Sequence, residues 1–195
     1  MEGTLSQAAQ IMQGSLHGLD GHFSGISTDT RTIRSGELFF ALHGPNFDGS
    51  QFVGVAAEKN AAAAVVNARN ASAIAQIVVD DSRLALGRLA ADWRRRMPAT
   101  VVGITGSNGK TTLKELVTSC LSVSASALAT QGNLNNDIGV PTMLSRLAPS
   151  HRFAVIEMGA NHAGEIAYLA GITAADVVAI TNAGPAHLEG FGSIE

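Results

Sequence analysis

One cysteine, Cys120, stands among 195 residues, so no disulfide can form within the chain. A disulfide-stapled fold is excluded, and a reducing compartment suits the composition. With that single thiol and histidines that show no ligand spacing, a structural zinc site has nothing to rest on. Charge is scarce as well. Charged residues make up 15% and the formal net charge is −3, so there is no broad basic field and duplex nucleic acid is not an expected partner. Apolar residues reach 46%, which argues against disorder and provides for a sizeable buried core. Long apolar runs are missing. The most apolar stretches, 61–66 and 174–180, fall far short of the ~20 residues that a bilayer requires. Met1-Glu2-Gly3-Thr4 lacks the basic start and apolar run of a signal peptide. Membrane insertion is not expected, and the cytoplasm is the expected location.

What is present is ordered punctuation. Thr4-Leu5-Ser6-Gln7 fits a capping box opening a short helix, with Gly14 near its end. Residues 26–34 are polar and rich in hydroxyls. A short strand is expected over 37–42, a loop over 44–49, a helix over 50–59, and buried strands over 63–66 and 77–79. Asp81 or Ser82 can cap the next helix, in which Leu86, Leu89, Ala90, Trp93 and Met97 recur at helical spacing. Arg94, Arg95 and Arg96 fall in its last turn, where cations complement the helix dipole, and Pro98 ends it. The spacing places a domain boundary here, giving domains over 1–98 and 99–195.

The second half alternates strand and helix. Strands are expected over 100–105, 125–129, 153–158 and 176–181, and helices over 110–122, 141–147 and 164–170. Such alternation predicts an α/β fold with a parallel sheet, and ligands at the carboxyl ends of its strands. The chain stops at Ser193-Ile194-Glu195 after a Gly-rich turn, which reads as a cut through a domain.

Gly106-Ser107-Asn108-Gly109-Lys110-Thr111-Thr112 follows an apolar strand and opens a helix, the context a phosphate-binding loop requires. Its glycines let backbone N–H groups approach phosphate, and the helix N-terminus adds positive potential. Lys110 can reach the β- and γ-phosphates of ATP, and Thr111 can place its hydroxyl on Mg²⁺. The strict pattern puts its first glycine where Ile104 stands. Here the first is Gly106, so the loop is a tighter form.

Other polar clusters follow strands on the same edge. Asn133, Asn135 and Asn136 offer donors and acceptors that suit a sugar or diphosphate; the alternative is a turn whose asparagine caps the next helix. Glu157 ends a strand beside the phosphate loop and can hold Mg²⁺, or it can serve as a cap or salt-bridge partner. His187, in a Gly-rich loop, can ligate a second metal ion or remain a surface residue. In the first half, Thr28, Thr30 and Arg31, with Pro45, Asn46 and Phe47, can bind an anionic or uracil-bearing group, or they are solvated loops.

These clusters, in this order, resemble the Mur ligase family over nearly the whole chain. The carrying segments are 28–31, 36–39, 106–112, 132–141, 157–162 and 186–192. The resemblance implies a small N-terminal α/β substrate-binding domain followed by a P-loop parallel-sheet ATP-binding domain, incomplete in this chain. It implies an ATP-dependent ligase in which the terminal carboxylate of a UDP-N-acetylmuramoyl tripeptide is phosphorylated and then attacked by the amine of D-alanyl-D-alanine. Lys110, Glu157 and His187 would be catalytic, and Thr111, Glu157 and His187 would hold Mg²⁺. The first-half loops would hold the uridine diphosphate. Asn133, Asn135 and Asn136 would face the diphosphate and sugar. The family's carbamylated lysine would lie beyond Glu195, so the chain alone is expected not to catalyse ligation. A related diamino-acid-adding or folate-glutamylating ligase, and a non-catalytic nucleotide-binding module, are the alternatives.

Overall fold

A computed structural model describes residues 1–44 and 47–184 of the chain. Its packing separates two units within one helix, Met1–Asp92 and Trp93–Glu195. No helix among the described residues is long and apolar enough to cross a membrane.

In the first unit, β1 (Gly3–Thr4) leads into α1 (Leu5–Met12). The Thr4 hydroxyl accepts from the Gln7 amide at 3.2 Å, and Gln7 Oε1 accepts from the Thr4 amide at 3.5 Å, the reciprocal cap expected from residues 4–7. The helix closes on Gln13 at φ 60° rather than on Gly14. Gly14 answers a different need, because a Cβ there would stand 2.6 Å from the Val78 carbonyl.

Then come β2 (Ser15–His17), β3 (His22–Phe23), β4 (Ile26–Ser27), β5 (Leu38–Phe40) and a hairpin of β6 (His43–Gly44) with β7 (Phe47–Asp48). A 3₁₀ turn (Gly49–Phe52) precedes α2 (Val53–Glu58), β8 (Ala63–Val66) and β9 (Gln76–Val78). The single helix expected over 50–59 is thus split, because Asp48 caps a tighter turn by accepting from the Ser50 amide at 2.9 Å. The sheet runs β2-β9-β8-β5-β4, with β2 antiparallel to β9 and the other pairs parallel. Phe39, Ala41, Val53, Ala56, Ala64 and Val66 close its core.

The stripe of α3 (Ser82–Arg96) buries Leu86, Leu89 and Ala90 as its spacing predicts, and Asp81 Oδ1 caps it through the amides of Arg83 and Leu84. Arg94 has more partners than its place in the last turn predicts. It is 7% exposed and donates to the carbonyls of Thr173 and Ala174 and to Asp176 Oδ2. It also donates to the carbonyl of Met97, just past the end of its own helix, at 3.5 Å, so it answers that end as expected and the carbonyls of Thr173 and Ala174 besides.

The second unit holds β10 (Thr100–Thr105), α4 (Lys110–Ser122), β11 (Ala127–Ala129), α5 (Gly139–Ser145), β12 (Phe153–Glu157), α6 (Glu165–Thr173) and β13 (Val177–Ile180). The strand order is β11-β12-β10-β13 and every pair is parallel. Ala154, Val155 and Ile156 are consecutive and buried, the pattern of a parallel strand covered on both faces. The α/β architecture is the one expected. Ile104 pairs with Glu157 and Thr105 with Ile180, so the loops leaving β10, β12 and β13 emerge side by side on one edge.

Candidate functional site

The loop between β10 and α4 turns on two glycines in the left-handed region, Gly106 at φ 133° and Gly109 at φ 78°. A side chain at Gly106 would overlap Thr181 Oγ1 and approach the Asn182 backbone at 2.9 Å, so only glycine fits this crossing. Around Gly109 the space is open, and no side chain caps α4. The first-turn amides of this 13-residue helix have no side-chain cap and are oriented to favour negative charge. Lys110 stands at that terminus. Its ammonium folds back onto the carbonyls of Gly106 at 2.6 Å and Ser107 at 3.3 Å, which places a cation at the loop mouth.

Not every loop amide points into the turn. Ser107 donates to the Asn182 carbonyl at 3.0 Å, and Asn108 donates to Asn182 Oδ1 at 3.1 Å. Asn182 Nδ2 returns a bond to the Asn108 carbonyl at 3.2 Å, and Ser107 Oγ is bonded to Gly184. The amides left for an anion are those at the start of α4. Asn182 escaped the sequence reading, although its position just past a predicted strand was a usable signal.

Glu157 is the centre of the adjoining cluster. It is 2% exposed, and its carboxylate accepts from Thr111 Oγ1 and from Asn135 Nδ2, each at 2.9 Å. Its own amide donates to Thr130 Oγ1 at 2.9 Å. Thr111 and Asn135 thus hold the carboxylate, and Thr130 holds the backbone that carries it. Thr111 and Glu157 form a pair of hard oxygen donors. Among the described residues there is no group of three or more His, Cys, Asp or Glu that could enclose a metal ion. One hydroxyl and one carboxylate, with remaining positions open to water and phosphate, fit Mg²⁺. Lys114 and Thr130, both 2% exposed, are further members of this neighbourhood that the sequence reading missed.

Of the asparagine loop, Asn135 turns to Glu157, and its side chain lies against Gly159, where a Cβ would meet it at 3.1 Å. Asn136 Oδ1 accepts from the amides of Gly139 at 2.8 Å and Ile138 at 3.3 Å, so it organises the start of α5. Asn133 is exposed. Ser107, Asn108, Thr111 and Thr112 sit in the loop or first helical turn as expected from their positions. Glu165 accepts from the Asn161 and His162 amides and contacts His162 Nδ1; these bonds hold its carboxyl below the usual range. His187 lies outside the described residues.

In the first unit, Asp29 organises the hydroxyl-rich loop. Its carboxylate takes the Arg31 amide at 2.8 Å and the Arg31 guanidinium at 2.6 Å, and that guanidinium holds its pKa down at about 2. Arg31 is otherwise exposed and Thr28 half-buried. Thr30 is buried, and its carbonyl accepts from Lys59 Nζ at 2.7 Å. Phe47 is 51% exposed and stacks on Phe52 with ring centroids 5.7 Å apart. Pro45 and Asn46 lie outside the described residues.

Comparison with known proteins extends this picture. Residues 22–94 match the Mur ligase family, catalytic domain, and residues 104–195 match the Mur ligase middle domain. UDP-N-acetylmuramoyl-tripeptide–D-alanyl-D-alanine ligase of Escherichia coli (strain K12) is 47% identical over 191 residues, which cover 98% of this chain and 42% of that protein. The crystal structure of MurF from Acinetobacter baumannii superposes with a TM-score of 0.94 at 43% identity, covering 99% of this chain and 44% of that one. MurF from Thermotoga maritima in complex with ADP superposes at 0.80 with 34% identity, covering 87% and 40%. The chain therefore spans about 42% of the length of the curated relatives it matches.

Proposed function

The chain belongs to the Mur ligase family, and from that membership we propose that it is part of an ATP-dependent amide ligase that joins D-alanyl-D-alanine to a UDP-N-acetylmuramoyl tripeptide in peptidoglycan precursor synthesis. The observation that carries the reading is the meeting of an uncapped helix N-terminus, the Lys110 ammonium and the Thr111–Glu157 oxygen pair on one sheet edge.

In this proposal residues 99–195 form the nucleotide-binding part and residues 1–98 the part that takes the UDP-linked substrate. ATP with Mg²⁺ supplies the activated phosphoryl group that makes the substrate carboxyl electrophilic toward an amine. The chain's own residues do the holding. The first-turn amides of α4 orient the phosphates and their dipoles favour negative charge. Lys110, held at the loop mouth by the Gly106 and Ser107 carbonyls, would offset negative charge on the transferring group. Thr111 and Glu157 would hold the metal ion, Thr111 through its hydroxyl oxygen and Glu157 through its carboxylate, and Asn135 fixes which carboxylate oxygen faces the loop. His187 would hold a second ion. Thr28, Thr30, Arg31, Pro45, Asn46 and Phe47 would receive the uridine diphosphate, with Arg31, whose Nε and Nη2 are held by Asp29, offering its remaining N–H groups to phosphate. Asn133, Asn135 and Asn136 would lie toward the sugar side. The reaction would take place in the cytoplasm.

Calorimetric titration of the chain with ADP in the presence of Mg²⁺ tests the reading. Binding is expected, and Lys110→Ala should weaken it by roughly tenfold to a hundredfold, the worth of a charge-assisted hydrogen bond. Equal affinity in the two proteins would refute the assignment of the loop.

A further inference from the structure

We propose that Thr130 and Lys114 are positioning residues that hold Glu157 and Thr111 at a fixed separation, an inference that rests on the metal-binding reading of that pair. β11 ends at Ala129, opposite Val155, two residues short of Glu157, where β12 ends. Thr130 extends the ladder past that end. Its amide donates to the Val155 carbonyl at 3.0 Å, and its hydroxyl accepts the Glu157 amide at 2.9 Å, in the place a strand carbonyl would occupy. The backbone that carries the Glu157 carboxylate is thereby fixed by a side chain.

The same residue also anchors the other partner. Lys114 lies on α4, one turn beyond Lys110 and three residues beyond Thr111, and its Nζ donates to the Thr130 carbonyl at 2.9 Å and contacts Glu115 Oε1 at 2.7 Å. An ammonium that is 2% exposed is costly to bury, and an apolar side chain would fill the space with less penalty. What the lysine adds is a directed donor that fastens α4 to the exit of β11. The contacts close a ring: Thr111 through α4 to Lys114, Lys114 to Thr130, Thr130 to Glu157, and Glu157 back to Thr111. Both oxygen donors are referred to one buried threonine, so their spacing is set before any ligand arrives. Neither residue reaches the loop itself, which makes their role indirect.

The test is titration of the 195-residue chain with ADP, with and without Mg²⁺, for wild type, Thr130→Val, Thr130→Ser and Lys114→Met. Thr130→Val and Lys114→Met are expected to keep the Mg²⁺-free affinity while losing about tenfold to a hundredfold of the gain that Mg²⁺ confers, the usual effect of removing a partner behind a metal ligand. Thr130→Ser should restore the gain. In Thr130→Val, exchange of the Glu157 amide proton with solvent should accelerate, a readout independent of nucleotide. Variants that retain the full Mg²⁺ gain overturn the proposal. So does an equal loss in both arms, or loss of fold in both variants, since either assigns the pair to stability alone. A wild-type chain that binds ADP without any Mg²⁺ gain removes the metal reading of Thr111 and Glu157 and the proposal with it, whereas a wild-type gain matched by the variants removes the proposal only.

Discussion

Thr111 Oγ1 and Glu157 Oε2 stand 2.9 Å apart, so a single hydrogen bond joins the first turn of α4 to the last residue of β12. Both atoms are oxygen donors of the kind Mg²⁺ prefers. Glu157→Gln keeps the shape but removes the charge and one acceptor. It should lower the Mg²⁺-dependent part of ADP affinity by roughly tenfold or more, leaving Mg²⁺-free affinity in place. Calorimetry with and without Mg²⁺ reads this directly, and an undiminished Mg²⁺ effect would take Glu157 out of that role.

Gly106 crosses Thr181 and Asn182 at φ 133° with no room for a methyl group. Gly106→Ala forces the loop or the 181–184 segment to move, and the backbone strain alone amounts to about 1–3 kcal/mol. The variant should melt at a lower temperature and bind ADP more weakly. A variant with the melting temperature and affinity of wild type would show that the crossing is looser than described.

Asp29 has a folded pKa of about 2, below its ordinary value of 3.8, because Arg31 bonds to the ionised form. A depressed carboxyl favours the folded state when ionised. Its contribution is therefore fully present above pH 3.8 and is lost as pH falls toward 2. The carboxyl carbon resonance of Asp29 should titrate with a midpoint near the lower value. Arg31→Ala should move that midpoint up, and a wild-type midpoint at the ordinary value would contradict the pairing.

Leu144 is fully buried on α5, and the lone tryptophan, Trp93, belongs to the same unit, with its indole donating to the Leu147 carbonyl at 2.9 Å. Leu144→Ala should destabilise this unit by about 2–5 kcal/mol. Urea unfolding followed by tryptophan fluorescence measures the change. A shift under about 1 kcal/mol would mean that the site collapses around the smaller side chain.

Much of the second unit was legible because its signals are local. An apolar run, a pair of glycines and a lysine place β10 at Thr100–Thr105 and α4 at Lys110–Ser122, the bounds expected. The short strands β1, β2 and β3 were not legible, since two or three residues carry no period and owe their form to a partner elsewhere in the chain. Arg94 was expected only at the end of its own helix for a related reason: its other partners, Thr173, Ala174 and Asp176, lie 79, 80 and 82 residues along the chain, beyond the reach of spacing. Lys114 was missed on the same ground. Glu157 was found as a carboxylate at a strand end, but its connections to Asn135 and Thr130 span 22 and 27 residues, beyond the reach of spacing arguments. Asn136 illustrates the opposite case, where the modest alternative, an asparagine organising the next helix, describes the contacts its side chain makes.

Asn108 and Asn182 exchange hydrogen bonds in both directions across the sheet edge. The turn from 106 to 109 is consequently not a portable cassette. Transplanted onto another strand-and-helix pair, it would arrive with two amides and a carbonyl facing water instead of an asparagine, and its curvature would be unsupported. An engineer wishing to move this turn to a new scaffold would have to carry the 181–184 segment along as its other half.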